Sequence, residues 1–138
     1  MVEIQIVYEG ELHTRAVHGP SGSALETDAP TDNEGRGERF SPTDLLATAL
    51  GTCMLTVMGI LARRRGWKLD GARVRVEKHM ATAPVRRIGR LVLAFDMPAL
   101  PEEARGPLER AAHTCPVGKS LHPDVEVEAR WSWGPPQG

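Results

Sequence analysis

Residues 40–66 read FSPTDLLATALGTCMLTVMGILARRRG, and this stretch decides the fold because it specifies one long, almost wholly apolar helix. Ser41 is a good N-cap and Pro42 suits the first helical position. Asp44 lies three residues after the cap, where an acid interacts favourably with the helix dipole. Residues 45–62 form a run of eighteen without a charge, and three arginines and a glycine follow. The sequence therefore predicts a helix that begins at Pro42 and ends at these arginines.

A helix without a polar stripe needs apolar cover on every side, and one small sheet in a 138-residue chain does not provide it. A second subunit would supply that cover, so we expect a homodimer. The uncharged run touches the lower length limit of a membrane span. However, threonines and glycines interrupt it, and nothing else in the chain resembles a membrane segment. We therefore expect no membrane association.

The rest of the chain alternates strand and helix patterns, which predicts an α+β fold in a single domain, 1–138. The strands are predicted at 3–8, 12–17, 24–27, 72–80, 87–96 and 125–133, with the first three forming a meander. A second helix is predicted from 101 or 102 to 113, and a short helical turn at 117–121. Residues 28–39 are rich in turn formers and charge, which indicates an exposed loop. The tail 134–138 is expected to be loose.

Composition excludes some classes of function. The formal net charge is −1, so the protein has no broad basic surface for nucleic acid. The N-terminus lacks the basic stretch, apolar run and cleavage site of a secretion signal, which favours a cytoplasmic protein. The two cysteines of such a chain are more often catalytic, redox-active or buried than part of a structural disulfide.

The two cysteines occupy different settings. Cys53 lies inside the apolar helix, so it is either a small buried hydrophobe or a working thiol. Cys115 precedes Pro116 and occupies a helix-cap position, where we expect backbone N–H groups and the helix dipole to favour its thiolate. His113, Cys115 and His122 are too few and too irregularly spaced for a zinc site, so no metal or cofactor is expected.

Both cysteine segments carry a family resemblance. The segment 40–53, FSPTDLLATALGTC, followed by the segment 115–121, CPVGKSL, resembles the OsmC/Ohr family of thiol-dependent hydroperoxide reductases. Together the two motifs are specific, and the resemblance covers most of the chain. It implies an OsmC-like α+β fold, in which antiparallel sheets wrap around long central helices in an intertwined homodimer.

The resemblance also implies a mechanism and a role in oxidative-stress defence. Cys53 would be the peroxidatic thiolate that attacks an organic hydroperoxide and becomes a sulfenic acid. Cys115 would resolve it to a disulfide, a step that agrees with general thiol chemistry. A dithiol reductant, such as a dihydrolipoyl protein, would then restore the two thiols.

The sequence departs from the family at the acidic residue that supports catalysis. The family's glutamate, ten residues before the first cysteine, falls on Thr43, and the nearest acid is Asp44. Asp44 also has a sufficient role as a helix-capping acid. This departure keeps a second function open, in which the protein is a redox sensor or binds a ligand and has little peroxidase activity.

The family also implies an arginine that activates the peroxidatic thiol, and the match does not assign it. Arg36 and Arg39 lie in the loop before the helix, and Arg15 lies on an early strand. Each could reach a Cys53 thiolate across a dimer interface, and Arg39 is the favoured candidate. Each could equally be a solvated surface charge.

Overall fold

The computed structural model describes residues 1–135, which contain six β-strands and three α-helices. The strands are β1 Ile4–Gly10, β2 His13–His18, β3 Ala24–Asp28, β4 Arg73–Ala81, β5 Arg87–Met97 and β6 Glu126–Trp133; the helices are α1 Pro42–Arg65, α2 Glu102–Ala112 and α3 Pro116–Ser120. Every element predicted from the sequence is present, and the bounds agree within about two residues. The predicted loop 28–39 contains one turn of 3₁₀ helix, Thr31–Asn33. The last three residues of the tail 134–138 lie outside the described residues.

Contacts divide the chain into two compact units, Met1–Leu46 and Ala47–Gly138. The first unit holds β1, β2, β3 and the start of α1. The second unit holds the rest of α1 and all later elements. The prediction of a single domain over 1–138 stays a prediction.

The first unit is built on a three-stranded antiparallel meander in the order β1-β2-β3, which confirms the prediction from the sequence. The pairing of β2 with β3 places His13 opposite Asp28 and Arg15 opposite Glu26. Directly opposed residues of an antiparallel pair have their side chains on the same face of the sheet. The register therefore decides which charges of this unit meet.

The second unit contains a mixed sheet in the order β4-β5-β6. β4 and β5 are antiparallel, as predicted, whereas β5 and β6 are parallel. The reason is the chain between β5 and β6, which carries α2 and α3. A connection of this length brings the chain back to the end of the sheet where β5 begins, so β6 can run parallel to β5.

The core of the second unit is formed where one face of α1 packs with β5 and α2. Its buried residues on these elements are Ala47, Leu50, Met54, Met58, Ala62, Ile88, Leu91, Leu93, Phe95, Met97, Ala104, Leu108 and Ala112. Gly51 lets α1 approach the sheet closely, since a Cβ there would lie 3.0 Å from Val76 Cγ2 and 3.3 Å from Val74 Cγ1. This packing fixes the rotation of α1 about its axis and so the direction of Cys53.

The opposite face of α1 is largely uncovered. Of its most apolar eighteen residues, 33% are buried, and Thr52, Thr56 and Ile60 are exposed at four-residue spacing. The Thr52 hydroxyl donates to Ala49 O and the Thr56 hydroxyl to Thr52 O, so neither requires water. By length and composition this helix could cross a membrane, and the core helix of a soluble protein meets the same test.

Candidate functional site

The two cysteines meet in the second unit. Cys53 lies on α1 and is partly buried, whereas Cys115 is 2% exposed and lies at the start of α3. Both are free thiols, and interaction with Cys53 contributes to the raised pKa of Cys115. This interaction agrees with the prediction from the sequence that the two cysteines are near neighbours in one chain.

Local backbone geometry positions the Cys115 sulfur. Cys115 is the N-cap of α3, with extended backbone angles (φ −62°, ψ 138°), and Pro116 follows at the first helical position. The backbone N–H of Gly118 donates to Cys115 Sγ at 3.3 Å. A Cβ at Gly118 would lie 3.3 Å from that sulfur and 3.6 Å from Leu50 Cδ1. The absence of a side chain at this position therefore leaves room around the thiol.

Burial outweighs the helix cap in setting the charge of Cys115. Burial raises the pKa of the Cys115 thiol above its ordinary value, while the Gly118 N–H acts in the opposite direction. The hydrogen bond and charge interaction with Cys53 raise this pKa further. The cap expected from the sequence is present and its N–H lowers the pKa of Cys115 as predicted, but desolvation is the larger effect, so this pKa is raised overall.

A cavity of about 130 Å³ opens beside the buried thiol. Its lining includes Cys115 and apolar side chains such as Leu50 and Met54, together with His113 and Lys119. The buried thiol is thus accessible from one side through a small, mainly apolar space.

Asp44 caps the start of α1. Its carboxylate accepts a hydrogen bond from the Ser41 N–H at 2.9 Å, and the Asp44 N–H donates to Ser41 Oγ at 3.1 Å. This reciprocal pair is a capping box. A catalytic role for Asp44 stays a prediction.

The three candidate arginines lie in the first unit and are exposed. Arg39 donates from Nε to Glu26 Oε2 at 3.4 Å, and Arg36 lies 3.8 Å from a carboxylate oxygen of Glu11. Arg15 lies on β2 opposite Glu26. An arginine held by a glutamate is therefore present at Arg39, and its action on Cys53 stays a prediction.

A charged cluster around His13 was missed by the sequence reasoning. His13 Nδ1 lies 2.6 Å from Asp28 Oδ1, and His13 Nε2 lies 3.2 Å from Glu26 Oε1. The hydrogen bond to Asp28 raises the pKa of His13, and the same bond lowers the pKa of Asp28, which is 3% exposed. The register of β2 and β3 brings these residues together, and the sequence alone does not specify that register.

Among residues 1–135, one group of side chains is close enough together to hold a metal ion. It consists of Glu9, His13 and Glu26, whose ligand atoms lie within 4.8 Å of one another. His13 already uses both ring nitrogens on carboxylates. These groups therefore satisfy one another as ion pairs. The set His113, Cys115 and His122 forms no such group within the same range.

Comparison with known proteins places this geometry in a family. The family model described as OsmC-like protein matches residues 35–130. A structure from Psychrobacter arcticus 273-4, named for an osmotic stress induced and detoxification response protein, is 42% identical. It superposes with a TM-score of 0.89 over 94% of this chain and 95% of that chain. None of the curated proteins matches this chain.

More distant structures share the fold. An organic hydroperoxide resistance protein OsmC from Legionella pneumophila is 16% identical, with a TM-score of 0.76 over 94% of this chain and 95% of its own. A Vibrio cholerae O1 biovar eltor structure, also named for organic hydroperoxide resistance, has captopril bound in one of its active sites. It is 19% identical, with a TM-score of 0.75 over 94% of this chain and 90% of its own. The chain therefore belongs to the OsmC-like family.

Proposed function

We propose that this protein is a thiol-dependent peroxidase that reduces organic hydroperoxides in oxidative-stress defence, with Cys53 as the peroxidatic and Cys115 as the resolving cysteine. The observation that carries the proposal is the interaction between two free thiols, one of which is buried and the other partly exposed. An inert pair of core cysteines does not require this contact.

The first step takes place at Cys53. The Cys53 thiolate attacks the distal oxygen of the hydroperoxide, the O–O bond breaks, and the products are a Cys53 sulfenic acid and an alcohol. Burial raises the pKa of the Cys115 thiol, which favours its protonated form. The protonated Cys115 is proposed to lie beside the Cys53 thiolate as a hydrogen-bond donor, and the thiolate is the nucleophilic form.

The second step uses the same contact. The Cys115 sulfur displaces the hydroxyl group of the sulfenic acid, which leaves as water, and a Cys53–Cys115 disulfide forms. Exchange with a dithiol reductant, such as a dihydrolipoyl protein, then regenerates both thiols. In support of this, captopril, bound in one of the active sites of the Vibrio cholerae protein, is itself a thiol.

The working form of the protein is proposed to be a cytoplasmic homodimer, with no nucleic acid or membrane as partner. The uncovered face of α1, which includes Thr52, Thr56 and Ile60, supports this arrangement because a second copy would cover it. Light scattering at micromolar concentration should give the mass of two chains. A monomer at that concentration would contradict the dimer.

The peroxidase activity is tested by reaction with excess cumene hydroperoxide and, separately, with hydrogen peroxide. The reduced protein should consume the organic peroxide faster, since Cys53 packs against the apolar core. Mass spectrometry of the product should show a Cys53–Cys115 disulfide. If neither that disulfide nor oxygen on Cys53 is found, the peroxidase proposal is wrong.

The second candidate, a redox sensor or ligand-binding protein, is favoured by Thr43 at the position of the family's glutamate. Such a protein would form the disulfide with peroxide but would turn over slowly with any dithiol. Multiple-turnover kinetics with dihydrolipoate separate the two functions.

A further inference from the structure

The cavity of about 130 Å³ reaches Cys115 but does not include Cys53 in its lining. A thiol that enters this space therefore meets the Cys115 sulfur first. Gly118 leaves room beside the Cys115 sulfur, since a Cβ there would lie 3.3 Å from Cys115 Sγ. These two observations favour attack from the cavity.

Lys119 places a positive charge at the edge of the cavity. Lys119 and His113 line it and are exposed, and no ion pair within residues 1–135 involves either of them. The attacking species in disulfide exchange is a thiolate, and a positive charge nearby raises its local concentration. The wall of Leu50 and Met54 suits the hydrocarbon part of a small dithiol.

We propose that this cavity is the binding site for the dithiol reductant, an inference that rests on the proposed function. The dithiol attacks Cys115 Sγ, and Lys119 attracts its thiolate. The incoming thiolate bonds to Cys115 Sγ, the Cys53–Cys115 bond breaks, and its electron pair leaves on Cys53. The second thiol of the dithiol then loses its proton to solvent and attacks the first sulfur. Cys115 leaves and takes up a proton, while the dithiol departs as a cyclic disulfide.

The raised pKa of Cys115 agrees with this direction of attack. The sulfur that leaves in the first exchange should be a good leaving group, and a thiol of high pKa leaves slowly. Because burial raises the pKa of Cys115, exchange that expels Cys115 first is disfavoured. Attack on Cys115 expels Cys53 first, and Cys115 then leaves only in the second exchange, where the attacking thiol is held in the same molecule.

The site of attack is tested on protein oxidised with diamide, a general thiol oxidant, so that peroxidase activity is not needed. The disulfide form is mixed briefly with 2-mercaptoethanol and iodoacetamide, quenched with acid and analysed by peptide mass spectrometry. We expect mercaptoethanol on Cys115 and the carbamidomethyl group on Cys53. The reverse assignment overturns the proposed site of attack while leaving the peroxidase proposal intact.

The role of Lys119 is tested by Lys119→Glu, with Lys68→Glu as the matched control at an exposed lysine that does not line the cavity. Reduction of the diamide-formed disulfide by dihydrolipoate should slow on the order of tenfold in the first variant at low salt. The difference in reduction rate between Lys119→Glu and the wild-type protein should become smaller in high salt, because the effect is electrostatic. Equal rates for the two variants overturn the role of Lys119.

Failure of this inference and failure of the proposed function give different results. If diamide forms no disulfide within the chain, both the resolving step and the reductant site are wrong. If the disulfide forms and reacts as expected here, but peroxide never produces it, only the peroxidase proposal is wrong.

Discussion

The thiol pair of the second unit and the His13 cluster of the first unit are polar centres controlled by opposite effects. At Cys115, burial is the largest influence, and it favours the uncharged thiol. At His13, the hydrogen bond to Asp28 is the largest influence, and it favours the charged imidazolium. Desolvation thus determines one centre and charge pairing the other.

This difference predicts different sensitivities. The thiol pair depends on the apolar core around it, so it should respond to changes in packing. The His13 cluster depends on ion pairs at a partly exposed surface, so it should respond to pH and salt.

Replacement of the two cysteines should give the largest effects on activity. Cys53→Ser should lose all detectable peroxide turnover, because a hydroxyl has a far higher pKa than a thiol and is not a comparable nucleophile. Cys115→Ser should complete one turnover and then stall with Cys53 as a sulfenic or over-oxidised acid. Stopped-flow kinetics and mass spectrometry measure both results, and steady turnover by Cys53→Ser would contradict the assignment.

A cavity in the core of the second unit should give the largest effect on stability. Leu93 is 0% exposed, and Leu93→Ala should lower the free energy of unfolding by about 2–5 kcal/mol. Leu25→Ala is the matched control on β3, where the leucine is 45% exposed and a change within about 0.5 kcal/mol is expected. Denaturant titration at fixed protein concentration measures the free energy of unfolding of both variants. Equal losses of stability in the two variants would contradict the prediction that packing matters more in the second unit.

The His13 cluster should make stability depend on pH. The pKa of His13 is raised, so its stabilising contribution is complete below the unfolded value of about 6.5 and is lost as pH rises through the folded value. The pKa of Asp28 is lowered, so its contribution is lost only as pH falls below about 4. The destabilisation caused by His13→Asn should therefore be larger at pH 6 than at pH 9.

Thermal unfolding of the wild-type protein and of His13→Asn, from pH 6 to pH 9, measures this difference in stability. His79→Asn is the control, because His79 pairs only with Glu77 at an exposed position within the described residues. A pH-independent difference for His13→Asn would show that the cluster acts through shape rather than charge.

The smallest effect on stability is expected at Arg39. Its ion pair with Glu26 is exposed, so Arg39→Ala should change the free energy of unfolding by at most about 1 kcal/mol. If Arg39 also activates Cys53, the same variant loses peroxide reactivity while remaining folded. Arg130→Ala, which removes an exposed pair with Glu128, is the control. Equal peroxide rates for the two variants would exclude Arg39 as the activating residue.

The sequence by itself determined the helices and strands and directed attention to the two cysteines. The cap at Ser41, the uncharged run and the arginines at its end specify α1 without help from the rest of the chain, because helix ends depend on local contacts. The two cysteine segments carried the family resemblance for the same reason, since a motif is local in the chain.

Only the tertiary structure decided how strongly each group is charged and which groups meet. The sign of the Cys115 pKa shift depends on burial by side chains distant in sequence, and the local cap predicted the opposite direction. The pairing of His13 with Asp28 depends on the register of β2 and β3, and a shift by one residue would separate them. Burial and register are set by contacts between distant segments, so no local pattern specifies them.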